Sequence, residues 1–149
     1  MKYSIILVCF AFVFFSCGKP KSSNILVGTW NQMDQISQYV NPYTLKNEYD
    51  TLAGISFSIE FKSDGSFFTN GMKDGTYSIS NDTTFSLNPT GNASGYFFSI
   101  YTVLTLDNSF LKTRRNGSSG EQEKVYDPNM QGMFTYANIQ YVFNEYHKE

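Results

Sequence analysis

Few side chains in this chain are equipped for chemistry, and their positions narrow what that chemistry is. There is one histidine, His147, and there are two cysteines, Cys9 and Cys17. His147 sits close to the C-terminal end, where a frayed terminus would not hold a general base in position. Glu121 and Glu123 alternate along one face, as two carboxylates paired for acid–base work would; on a strand, the same spacing gives a solvated face, which is the expectation here. Asp64, Asp82 and Asp107 fall in turn sequences, where a carboxylate caps backbone N–H groups. No Cys/His group has the spacing of a zinc site, and no glycine-rich phosphate loop is present. The residues therefore predict no enzyme, no metal and no cofactor.

Cys17 stands apart. The chain opens Met1-Lys2-Tyr3-Ser4 and runs unbroken and apolar from Ile5 to Phe15. A bilayer span needs about 20 apolar residues. A positive start with a shorter apolar core is the pattern of a secretory signal. It ends Phe14-Phe15-Ser16-Cys17-Gly18, which resembles the lipobox of bacterial lipoproteins, with Phe14 where leucine is usual. The resemblance implies cleavage before Cys17 and acylation of Cys17. Cys9 would leave with the signal, so no disulfide within one chain remains open. One acyl chain anchors only marginally, at about 0.8 kcal/mol per buried methylene; the two or three that such lipoproteins carry would make release rare. The expected partition is residues 1–16 as signal, 17–24 as a polar tether and 25–149 as one domain. Gly18, and the absence of an acidic cluster after the cysteine, resemble outer-membrane sorting with the domain facing the periplasm. The outer surface stays open as an alternative.

Loss of Lys2 with the signal leaves a net charge of about −3, too weak to imply a nucleic-acid partner. The chain holds 14 Phe, 11 Tyr and one Trp against 16% charged residues, and with abundant Gly, Asn, Ser and Thr this favours strands and turns. Ile55, Phe57, Ile59 and Phe61 alternate with Ser56, Ser58, Glu60 and Lys62, the period of a half-buried strand. Asp64-Gly65 is a hairpin turn signal. Further strands are expected at residues 66–70, 75–80, 83–88, 96–106, 109–115, 121–126 and 136–146. In these, Tyr77, Phe85, Phe98, Ile100, Leu104, Ile139, Tyr141 and Phe143 are expected on inward faces. The first strand starts at Ile25 and continues to Val40, against a competing short helix over residues 33–40. Residues 41–54 are expected to be a long tyrosine-bearing loop. Eight to ten short strands in local hairpins predict an all-β, antiparallel, up-and-down barrel of about eight strands, with an open sandwich as the alternative.

Gly28-Thr29-Trp30 resembles the Gly-x-Trp signature of lipocalins. Phe61-Lys62-Ser63-Asp64-Gly65 followed by Gly75-Thr76-Tyr77-Ser78-Ile79 resembles the lipocalin-like domains of Bacteroides-type lipoproteins. The resemblance implies that Trp30 closes the barrel floor under a late-strand arginine, Arg114 or Arg115; parity with Leu111 and Thr113 favours Arg115. It also implies a small apolar or amphipathic ligand, with Trp30, Phe57, Phe61, Tyr77, Phe85 and Phe98 lining the pocket and the 41–54 loop at its mouth. The alternative is a filled barrel that docks another envelope protein. Asp50-Thr51-Leu52 and Asp82-Thr83-Thr84 resemble the O-glycosylation acceptor of Bacteroides-like exported proteins, which would make Thr51 and Thr83 acceptors.

Overall fold

A computed structural model describes residues 25–81, 83–90 and 100–149. Ten strands follow in order: β1 Gly28–Val40, β2 Asn47–Ala53, β3 Ser58–Phe61, β4 Ser66–Thr69, β5 Met72–Asn81, β6 Thr84–Pro89, β7 Ile100–Leu106, β8 Phe110–Asn116, β9 Gln122–Tyr126 and β10 Phe134–Lys148. Neighbours pair antiparallel in the order β2-β1-β3-β4-β5-β6-β7-β8-β10-β9, and β1 also pairs with β10. That last ladder, from Trp30 opposite Lys148 to Tyr39 opposite Ile139, closes an eight-stranded barrel of β1, β3 to β8 and β10. Closure gives each of these eight strands a paired neighbour on both sides.

β2 and β9 lie outside this ring. The far half of β1, residues 34–40, exchanges β3 for β2, and the near half of β10 exchanges β8 for β9. The result is a four-stranded tongue, β2-β1-β10-β9, at the end of the barrel opposite Trp30. A second small core of Tyr39, Val125 and Ala137 holds it. Half of the expected 41–54 loop is therefore β2. Asn41 makes the short turn before it, accepting the Tyr43 and Thr44 amides at 2.8 and 3.2 Å and donating to Glu48 at 2.8 Å. The 33–40 segment is strand, not helix.

The hairpin turns are closed by the side chains expected there. Asp64 Oδ1 accepts the Ser66 amide at 2.9 Å beside Gly65 at φ 82°, and Asp107 accepts the Ser109 and Phe110 amides at 2.8 Å. Asp82 lies outside the described residues.

The floor half of the barrel is filled. Trp30, Phe61 and Phe67 are each 1% exposed or less and pack with Leu26, Ile59, Phe85, Leu87, Tyr101, Leu111 and Tyr146. Phe61 meets Phe85 and Tyr77 edge-on at 5.6 and 4.9 Å, and Tyr101 stacks on Phe85 at 5.2 Å. Two voids in this region hold only about 10 Å³ each, at or below what one water needs.

Two inward faces differ from the sequence expectation, for one reason. In β7, Tyr101 and Val103 point inward while Ile100 and Leu104 are 62% and 44% exposed. In β10, Val142, Asn144 and Tyr146 are buried, whereas Tyr141 and Phe143 lie on the opposite, only partly covered face. Each strand carries an extra residue against its partner, Leu104 in β7 and Gln140 in β10. A bulge of one residue inverts the parity of everything on one side of it.

Candidate functional site

The cation beneath the barrel is not Arg115. Lys148 Nζ lies 5.1 Å from the centre of the Trp30 ring and donates to the Ile25 carbonyl at 2.9 Å, while the indole Nε1 donates to the Leu26 carbonyl at 2.7 Å. Gly28 makes this approach possible: a Cβ there would stand 2.5 Å from Lys148 Cε. Arg115 does point inward, as its parity predicted, but it is opposite Val142, six residues along β10 from Lys148. At the rise of a strand that is about 20 Å from the floor. Lys148→Met is expected to lower the unfolding free energy by about 1 kcal/mol and to shift Trp30 fluorescence, with Arg115→Met leaving that emission unchanged. Tryptophan fluorescence during urea unfolding checks both, since Trp30 is the chain's one tryptophan.

Above the packed floor the interior turns polar. Another bulge, at Met33, puts Gln32 opposite Tyr146 and Gln35 opposite Asn144 across the β1–β10 ladder. On the next strand Thr113 is opposite Asn144, and Arg115 is opposite Val142. Here lies a cavity of about 210 Å³, partly open to solvent, lined by Gln32, Gln35, Ile55, Phe57, Tyr101, Arg115, Asn144 and Tyr146. Its mouth follows from the strand exchange on β1. Where β1 leaves β3 for β2, the connector 54–57 crosses the gap, tied down by Gly54 N to Met33 O at 3.0 Å and Gln32 N to Phe57 O at 2.8 Å. The connector supplies Ile55 and Phe57 to the wall; the same two residues border a neighbouring cleft of about 310 Å³ with Asn31, Ser58 and Asn70.

Inside the cavity the Gln32 amide donates to Asn144 Oδ1 at 3.0 Å. Arg115 forms a fork with Glu121, Nη1 to Oε2 at 2.7 Å and Nη2 to Oε1 at 2.8 Å, and Glu121 also accepts the Ser118 amide at 2.9 Å. Hydrogen bonding from Arg115 holds the Glu121 carboxyl below the usual carboxylate range. Glu121 is thus one half of an ion pair at the barrel rim and not part of a solvated face. Burial pushes the Tyr146 phenol far above its usual range, so it stays a neutral hydroxyl. Thr113 Oγ1, beside Asn144, is buried without a hydrogen-bond partner among the described residues.

Of the expected pocket residues, only Phe57 borders this cavity. Trp30, Phe61 and Phe85 are floor core, and Tyr77 closes over Phe61 with its hydroxyl on the Lys62 carbonyl at 2.8 Å. Phe98 and Cys17 lie outside the described residues. Thr51 is exposed on β2, and Thr83 is exposed in a turn with its hydroxyl on Asn81 at 2.9 Å. His147 is held in β10 opposite Asn31 and Phe110, not frayed, with its ring outside the barrel against Phe110. Gln32, Gln35 and Asn144 gave no sequence signal: Asn144 fell on the face expected to point outward, and Gln32 and Gln35 share a face only through the bulge at Met33. Among the described residues no group of three or more His, Cys, Asp and Glu could hold a metal.

The fold and cavity define a closed antiparallel β-barrel, packed at the floor and hollow with mixed polar and apolar walls toward the tongue. Comparison with protein-family models, with curated proteins and with solved structures found no match to this chain.

Proposed function

We propose that this chain is a non-enzymatic, lipid-anchored lipoprotein of the cell envelope whose barrel binds a small amphipathic molecule. The observation that carries the binding role is the cavity of about 210 Å³ above a floor that is otherwise filled. Small-molecule sites combine apolar walls with a few convergent polar groups, and here Ile55 and Phe57 face Gln32, Gln35 and Asn144. The lipid anchor rests on the signal and the lipobox-like residues before Cys17. The described chain begins at Ile25, whose carbonyl meets Lys148 at the floor end of the barrel.

Native mass spectrometry of the full chain, purified from the membranes of its own host, tests both parts. Acyl mass on the wild type and none on Cys17→Ser is the expected result for the anchor. A further mass, removed by organic extraction and absent from a folded Phe57→Glu variant, is expected for the ligand. A bare chain under gentle conditions would overturn the binding role.

A second reading, a docking module, draws on the tongue. Tyr126, Phe134 and Tyr136 are 60%, 44% and 57% exposed and meet edge to face, with Lys124 Nζ 3.8 Å from the centre of the Phe134 ring. Exposed aromatics of this kind suit a protein partner, and crosslinking in intact envelopes would capture it.

A further inference from the structure

We infer that the cavity takes an uncharged polyhydroxylated ring, one pyranose unit, either free or at the end of a glycan. This inference rests on the reading of the barrel as a small-molecule binder and names the class of molecule.

Three features converge on it. The first is hydrogen-bonding capacity. Asn144 is only 5% exposed, and its Oδ1 is taken by Gln32, while its Nδ2 makes no hydrogen bond among the described residues. The half-buried Gln35 side chain on the same wall has no hydrogen-bond partner there either. Both amides border a cavity that is partly open to solvent, where a ligand can take the place of water on them. A ligand that both donates and accepts from several positions meets primary amides and hydroxyls together, which is what ring hydroxyls do.

The second feature is charge. The one cation bordering the cavity, Arg115, is engaged by both oxygens of Glu121, so the pair is neutral toward a ligand. A carboxylate or phosphate therefore gains little net charge attraction to offset its own desolvation, a cost that a neutral molecule does not carry.

The third is size and shape. The cavity of about 210 Å³ opens beside a cleft that shares Ile55 and Phe57 with it, and it has room for one six-membered ring with its hydroxyls. Phe57 and Ile55 on the connector give an apolar wall for the C–H face of such a ring, opposite the amides of Gln35 and Asn144.

The test uses the full chain in detergent micelles and calorimetric titration. The probes are methyl glucopyranoside, methyl N-acetylglucosaminide, maltotriose, cyclohexanol and glucuronate. The expected result is that at least one methyl glycoside binds about tenfold more tightly than cyclohexanol or glucuronate. Gln35→Leu, whose amide bonds nothing in the fold, is expected to remove about tenfold of that affinity. Asn144→Leu should do the same if it folds. Maltotriose binding as well as the single ring indicates a glycan end; binding of the methyl glycosides alone indicates a free sugar. Tighter binding of cyclohexanol or of glucuronate would overturn the saccharide class and leave a binding barrel standing. No heat from any probe would also overturn it, while the binding role itself falls only if the chain from its host carries no added mass.

Discussion

Trp30→Ala is expected to remove about 3–5 kcal/mol of unfolding free energy, measured by urea denaturation followed by circular dichroism. The side chain is 0% exposed and is the largest in the core. Its removal costs the transfer free energy of the indole and leaves a hole bounded by strands that hydrogen bonding keeps from collapsing. It also orphans the Leu26 carbonyl, which now accepts from the indole at 2.7 Å, and deprives Lys148 of the ring beneath it. Trp30→Phe keeps most of the apolar bulk and loses the hydrogen bond, so it should cost clearly less. If Trp30→Ala unfolds at the wild-type urea concentration, the floor is not the keystone of this barrel.

Glu121→Ala is expected to cost about 2 kcal/mol, below the 3–5 of a wholly buried pair because Glu121 keeps part of its exposure. The partner is the reason for the penalty: the Arg115 side chain is 9% exposed, and without Glu121 its charge would be left largely desolvated. Arg115→Met combined with Glu121→Met should return most of the loss, since two packed apolar side chains need no mutual compensation. The pair also sets a pH dependence. Glu121 has a lowered folded pKa, so below its unfolded pKa, about 4.3, the unfolded chain binds the proton more readily. Its contribution is therefore complete above that value and is lost as the pH falls through the folded pKa. Asp64 and Asp107, held down by hydrogen bonds from Ser66 and from the Ser109 and Phe110 amides, act in the same direction. The wild type should thus lose urea resistance progressively in acid, and Glu121→Gln should show a shallower decline. Equal acid sensitivity of the two proteins would remove Glu121 from this account.

The barrel was legible because its local devices agree with one another. Alternation at Ile59 and Phe61 marked β3, and Asp64-Gly65 and Asp107-Asn108 marked turns whose carboxylates do cap the expected amides. A chain of short hairpins without crossovers has few ways to bury one face, and closure is the simplest. The binding cavity was much less legible. A period of two assigns faces only while the register is unbroken, and single extra residues at Met33, Leu104 and Gln140 reverse it. Counting from Ile100 or Tyr141 therefore gave the wrong side, and β2 went unnoticed because Asn47–Ala53 is exposed almost throughout and shows no alternation.

By itself the sequence determined the all-β class, most strand positions, the turn chemistry and the inward direction of Trp30, Leu111, Thr113 and Arg115. Those are properties of short segments, set by side-chain alternation and by what a tight turn demands. Only the tertiary structure decided which groups meet. Lys148 reaches Trp30 because β10 returns to close against β1, more than a hundred residues later in the chain. Gln32 meets Asn144 because the β1–β10 ladder brings residues from the two ends of the chain alongside each other, and Arg115 meets Glu121 where the loop after β8 folds back on it. The division of the interior into a solid floor and a polar hollow has the same origin. It depends on bulges and on the point where β1 exchanges one partner strand for another, and neither is encoded in the residue types of any one segment.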